Sequence, residues 1–202
     1  MKVIALVSSA GGLAATSEVL SGLPADLPAA VIALEHMSPE HASFLPQLLQ
    51  RAALMPVHAV KDGTALVAGT VYVAPAGYHT LITPARRVSL VTSGAYPPSR
   101  PSADLLLTTL ALAVGHDAIS VVMTGGGNDG ATGATAVHKH GGVVLATDMA
   151  TSTNFSMPAA TIARARVTDA VVPVSEVAPR LMDLVLARVF GDSPPAEPGQ
   201  PL

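Results

Sequence analysis

The sequence predicts an α/β fold built on a mostly parallel sheet, and three observations carry that prediction. Short apolar runs of strand length alternate with longer stretches of helical pattern along most of the chain. The first run and the central run each leave through a glycine-rich turn into a helix, "SSAGG" and "TGGGNDGATG". Half of the 202 residues are hydrophobic but only 3% are aromatic, so Leu, Val and Ala supply a core large enough for one domain.

Lys2 to Val7 is the first strand, and Leu13 to Leu23 the helix after it. Ala29 to Glu35 ("AAVIALE") is a second buried strand. The following "SPEHASFLPQLLQRAA" is helical, with Ser38 able to cap it, Pro39 in its first turn and Glu40 at its positive end. "PVHAV", "TVYVAP", "HTLITP" and "RRVSLVT" are short, β-branched and separated by Gly, Pro and Asp, which predicts small strands or hairpins. "SGAYPPSRPSAD" is an extended loop, because its prolines break any helix. Ala103 to about Val114 is an apolar helix, "DAISVVM" a third central strand, and Ala131 to Lys139 a helix ended by "HGG". "VVLATD" and "DAVVPV" complete the sheet, "VAPRLMDLVLARVF" is an amphipathic last helix, and residues 191–202 have the composition of a disordered tail. Residues 1–190 thus form one expected domain, without internal repeats.

Composition narrows the function classes. Absence of cysteine removes a disulfide framework, a thiolate nucleophile and a Cys-based zinc site. Few aromatics and a net charge of −3 give neither a stacking platform nor an electrostatic attraction for nucleic acid. The apolar run Val3 to Val7 is shorter than the roughly 7 to 15 residues of a signal-peptide core. No segment approaches the roughly 18 apolar residues of a membrane span. The expectation is a soluble, cytoplasmic protein, not embedded in a membrane.

Three turns stand at expected strand ends: "SSAGG", "EHMSPEH" and "TGGGNDGATG". The carboxyl ends of the strands are where an α/β sheet collects its chemistry. These turns offer a serine, a histidine and an aspartate, in that chain order. A serine hydroxyl is a weak nucleophile until a neutral imidazole accepts its proton, and a carboxylate behind the imidazole fixes its tautomer. Gly11 and Gly12 permit a sharp turn, and the helix they open directs N–H groups toward a developing oxyanion. The order Ser, His, Asp and the lack of a G-x-S-x-G elbow disfavour an ordinary α/β-hydrolase. Ser8 and Ser9 compete for the displayed position. Asp104 reads as a helix-start residue, Arg100 as a structural or substrate contact, and His41, His58, His79 and His116 as surface or loop residues. His138 and His140 lie at a helix end without further metal ligands in sequence.

Seven blocks in one order, "SSAGG", "EHMSPEHASFLPQLL", "DGTALVAGTVYVAPAGYH", "RPSAD", "VVMTGGGNDGATG", "HGGVVLATD" and "SMPAATI", resemble the catalytic domain of the chemotaxis protein-glutamate methylesterase family from about Lys2 to Val185. The resemblance implies a doubly wound, Rossmann-like three-layer sheet with a small antiparallel hairpin. It places the nucleophile on Ser9, the base on His36 and the orienting acid on Asp129. Backbone N–H groups near Ala10 and Gly126 are the oxyanion-hole candidates, and the turn from Ser156 to Pro158, with Met157, walls the site. It further implies demethylation of glutamate methyl esters on cytoplasmic helices of chemoreceptors, with glutamine deamidation by the same acyl-enzyme route and no cofactor.

Four positions depart from the family pattern. Ala10 replaces a hydroxyl residue, Gly126 a methionine, Ser156 a glycine and Ser38 a proline. The chain begins at the first catalytic strand, so the expectation is a stand-alone domain without a receiver domain, regulated if at all by a separate response-regulator partner. A second reading is a catalytically weakened binding or scaffold module of a chemosensory complex. An anion- or nucleotide-binding domain ranks last, because the glycine turns lack a phosphate-binding lysine.

Overall fold

The computed structural model describes residues 1–37, 43–93 and 100–187. Nine strands and six α-helices follow one another among them: β1 Lys2–Ser8, α1 Gly12–Ser21, β2 Ala29–Glu35, α2 Leu45–Gln50, β3 Val57–Ala59, β4 Thr70–Val73, β5 His79–Ile82, β6 Val88–Val91, α3 Ala103–Val114, β7 Ala118–Val122, α4 Ala131–Lys139, β8 Val143–Thr147, α5 Ser156–Ile162, β9 Ala170–Val172 and α6 Val174–Leu186. Seven strands form one parallel sheet in the order β3-β4-β2-β1-β7-β8-β9. The pair β5–β6 forms a separate antiparallel hairpin. The fold is therefore doubly wound, and connections run in opposite directions from the β1/β7 pair, the switch point at which such sheets open a crevice.

Strand residues alternate between two apolar cores because the side-chain period of a strand is two. Ile4, Leu6, Val31 and Ala33 pack with Val19, Leu20 and Leu181 on the face covered by α1 and α6. Val3, Ala5, Val7, Ile32 and Leu34 pack with Leu106, Leu110 and Val137 on the face covered by α3 and α4. With both faces covered, the inner strands are near-continuous apolar runs, as parallel strands require.

Most expected elements are present, and the differences have physical causes. The segments at Val57 and Thr70 join the main sheet as parallel strands; only β5 and β6 make a hairpin. The helix expected across "SPEHASFLPQLLQRAA" is confined to Leu45–Gln50 among the described residues, with Pro46 in its first turn. The capping roles of Ser38, Pro39 and Glu40, and His41, lie outside those residues, as do residues 94–99 of the Pro-rich loop and the tail. The last helix starts at Val174, three residues early. Ser156–Pro158 is the first turn of α5 rather than a free turn. Pro158 is accommodated there because N–H groups of a first turn have no intrahelical acceptor. No described helix is long and apolar enough to cross a membrane.

Candidate active site

The site lies at the carboxyl ends of β1, β2 and β7. The β1–β2 register pairs Ser8 with Glu35. The ladder then runs one step past both strands: His36 N–H donates to Ser8 O at 3.0 Å, and Ser9 N–H donates to Thr124 O at 2.9 Å. Ser9 follows Val7 by two residues and His36 follows Leu34 by two, so both continue the pattern that faces α3 and α4. Ser8 and Glu35 continue the opposite pattern, toward α1.

That alternation separates the two serines. Ser8 is fully buried, its hydroxyl packed against Gly12 at the start of α1 without a hydrogen-bond partner among the described residues. Ser9 is half-buried, and its hydroxyl is not engaged by any described residue. Of the two, it is Ser9 that shares the α3 and α4 face with His36.

His36 and Asp129 meet directly. His36 Nε2 lies 2.8 Å from Asp129 Oδ2, with side-chain exposures of 14% and 17%. An ionised carboxylate only accepts, so Nε2 carries the proton and Nδ1 remains the acceptor of the ring. Asp129 accepts three further hydrogen bonds: Ala103 N–H at 2.7 Å on Oδ2, and Asp104 N–H at 2.8 Å and Ser102 Oγ–H at 3.1 Å on Oδ1. Burial pushes its carboxyl pKa up, but the bonds from His36 and from the Asp104 and Ala103 N–H groups outweigh this, so it lies below the ordinary carboxylate range.

Behind the acid stands His79, expected from the sequence as a surface or loop residue. His79 is 1% exposed; as the first residue of β5 its side chain turns inward. Its Nδ1 accepts from Ser102 N–H at 3.2 Å, so Nε2 carries the proton and donates to Ser93 Oγ at 2.8 Å. Burial, and then the charge of Arg100, lower its pKa and hold it neutral. Asp104 is likewise more than a helix-start residue, since its Oδ1 accepts from Gly130 and Gly133 across α3 and α4. Both residues fall within "GYH" and "RPSAD", blocks whose place in the fold gives the signal that composition lacks.

Thr124 ties the loops together. Its hydroxyl donates to Ala10 O at 2.8 Å and accepts from Asn154 N–H at 2.8 Å, joining the turns after β1, β7 and β8. Gly125 is engaged on both sides, its N–H on Asn154 O and its carbonyl accepting from Met157 N–H. A side chain at Gly125 would meet Met157 Sδ and come within 2.9 Å of Ser9 Cβ, so only glycine allows this approach. Met157 is fully buried and backs the Ser9 turn. The exposed Ala10 and Gly126 donate to no described backbone carbonyl, which leaves their N–H groups available. Among the described residues no three His, Asp or Glu side chains cluster as metal ligands.

The model of one family, described as CheB methylesterase, matches residues 4–181. The chain belongs to the CheB methylesterase family. It is 34% identical over 187 residues to a protein-glutamate methylesterase/protein-glutamine glutaminase of Paramagnetospirillum magneticum, covering 93% of this chain and 52% of that one. It is 35% identical over 189 residues to the enzyme of the same name from Moorella thermoacetica, covering 92% and 44%. The chain thus spans about half the length of the curated relatives it matches. The crystal structure of the Thermotoga maritima CheB methylesterase catalytic domain superposes with a TM-score of 0.86 at 30% identity, covering 91% of this chain and 98% of that one. The sheet order and the separate hairpin are therefore those of a CheB-type catalytic domain.

Proposed function

We propose that this CheB-family domain is a protein-glutamate methylesterase, with Ser9 as nucleophile, His36 as general base and Asp129 as the group that orients it. The observation that carries the reading is the His36–Asp129 pair at 2.8 Å, with Ser9 on the same face of the adjoining strand end. In the forward step Ser9 Oγ attacks the ester carbonyl carbon while His36 Nδ1 takes the hydroxyl proton. The N–H groups of Ala10 and Gly126 stabilise the oxyanion. Collapse expels methoxide, which takes the proton from His36 and leaves as methanol, giving a glutamyl ester on Ser9. Water, deprotonated by His36, then releases the glutamate. A glutamine amide follows the same course with ammonia leaving. The names of the relatives support both reactions.

The substrates in this reading are methylated glutamates on cytoplasmic helices of chemoreceptors, so the domain acts in the cytoplasm. Methanol release from methylated receptor membranes tests it. Wild type and Ser8→Ala hydrolyse the ester, whereas Ser9→Ala loses about a thousandfold or more of kcat, as removal of a triad serine does. A wild type that releases no methanol yet still binds receptor replaces this reading with a binding module.

A further inference from the structure

Asp129 does more than face His36. It precedes α4, yet it caps α3, accepting the N–H groups of Ala103 and Asp104 in the first turn of that helix. Asp104, within α3, caps α4 in return: Oδ1 accepts from Gly130 N–H at 2.9 Å and Gly133 N–H at 2.8 Å, and the Thr132 N–H also contributes. Gly130, at the cap position of α4, supplies no side-chain cap of its own. The donors at two helix starts are thus accepted by carboxylates exchanged between the helices.

The exchange requires the helices to approach closely. A side chain at Gly133 would fall 2.6 Å from Leu107 Cβ and 2.9 Å from Asp104 O, so α4 lies directly on α3 at this point. Gly130, held by Asp104, is the residue next to Asp129. Displacement of the α4 start therefore displaces the Asp129 backbone, and with it the carboxylate that receives His36.

We propose that Asp104 is a positioning residue for the reaction, acting through this reciprocal cap to hold Asp129 in register with His36. The kinetic part rests on the esterase reading; the positional part does not. Around the pair stand His36 from the end of β2, His79 from β5, Arg100 from the loop before α3, and Asp129 itself. The Asp104 carboxylate faces the start of α4 instead, its Oδ1 taken up by the backbone N–H groups of Gly130 and Gly133.

The test uses the whole chain with substitutions at Asp104. Asp104→Ala removes the acceptor, and Asp104→Ser leaves a polar atom too short to reach Gly133. Asp104→Asn keeps an Oδ1 acceptor. Two readouts are taken: the downfield proton resonance of the His36 Nε2–H bonded to Asp129, recorded without substrate, and methanol release from methylated receptor membranes. For Ala, or for Ser should Ala fail to fold, the resonance broadens or moves upfield and kcat falls tenfold or more with KM little changed. Asn restores the resonance and at least a third of kcat. Wild-type resonance and kcat in a folded Ala or Ser variant overturns the proposal, and so does an Asn variant as impaired as Ala. If the wild type hydrolyses no ester, the esterase reading falls, while the resonance still decides whether Asp104 seats Asp129.

Discussion

Two carboxylates stand near the carboxyl end of the sheet, on opposite faces, and they are treated in opposite ways. Asp129, on the α3 and α4 side, accepts four hydrogen bonds and is held ionised. Glu35, on the α1 side, is raised in pKa first by burial, against which the charge of His36 and the Leu13 N–H work only in part. Its Oε2 and the neighbouring Ser8 Oγ have no hydrogen-bond partner among the described residues. A carboxylate at a helix start is stabilised in proportion to the donors aimed at it, and Asp129 receives the starts of a helix and an imidazole together. Of these two carboxylates, Asp129 has its acceptor positions filled, whereas Glu35 Oε2 and the neighbouring Ser8 Oγ have none filled among the described residues.

The comparison breaks most sharply at Asp129. Asp129→Ala should lower kcat by about three to four orders of magnitude, as loss of an orienting acid does. Because it also strips acceptors from Ala103 and Asp104, it should cost about 2–3 kcal/mol in urea unfolding. The stability that Asp129 supplies is present above its unfolded pKa near 3.8 and is lost as the pH falls through its lower folded value. A flat acid limb in the wild type, or one unchanged in Asp129→Ala, would contradict the bonding described.

A smaller effect separates neighbouring glycines in the turn beside Ser9. Gly125→Ala should destabilise by about 1–3 kcal/mol and reduce kcat, because the new methyl is driven against Ser9 and Met157. At Gly126 the nearest atom to an added methyl is Asn154 Nδ2 at 3.6 Å, so Gly126→Ala should stay within about 0.5 kcal/mol. Chemical denaturation of the two variants side by side checks this; equal losses would mean that the turn does not pack as described.

The opposite face gives the smallest expected change and the opposite sign. Glu35→Gln should stabilise the fold by about 1 kcal/mol at neutral pH, since it removes a buried charge and sets amide donors beside Ser8. A raised folded pKa means that the stability linked to Glu35 is full below its unfolded value of 4.5 and declines as the pH rises through the folded one. The variant should lose that decline. Melting temperature against pH for wild type and Glu35→Gln measures it, and a destabilised variant would show that Glu35 is partnered after all.

The order of strands and helices was largely legible because each inner strand is an apolar run and some helices start or stop at the expected place, as at Ala103 and at the glycines after Lys139. Ser9, His36 and Asp129 could be nominated because all three follow strand ends, where chain reversal gathers polar side chains. Pairing of β3 and β4 with the main sheet was not legible, since their short β-branched runs suit a hairpin edge equally well. Nor was the burial of His79, whose polarity favours the surface until Ser102 and Ser93 supply its two hydrogen bonds.

By itself, then, the sequence determined the alternation of strand and helix and the residue types at three strand ends, because hydrophobic period and turn chemistry are local properties. Which serine is displayed depended on the β1–β2 register, since one residue along a strand reverses the face. The crossed caps of Asp104 and Asp129 join residues 25 positions or more apart, and only the packing of α3 on α4 brings them together. Long-range contacts of that kind belong to the tertiary structure, because no local propensity specifies which helix start a carboxylate will meet.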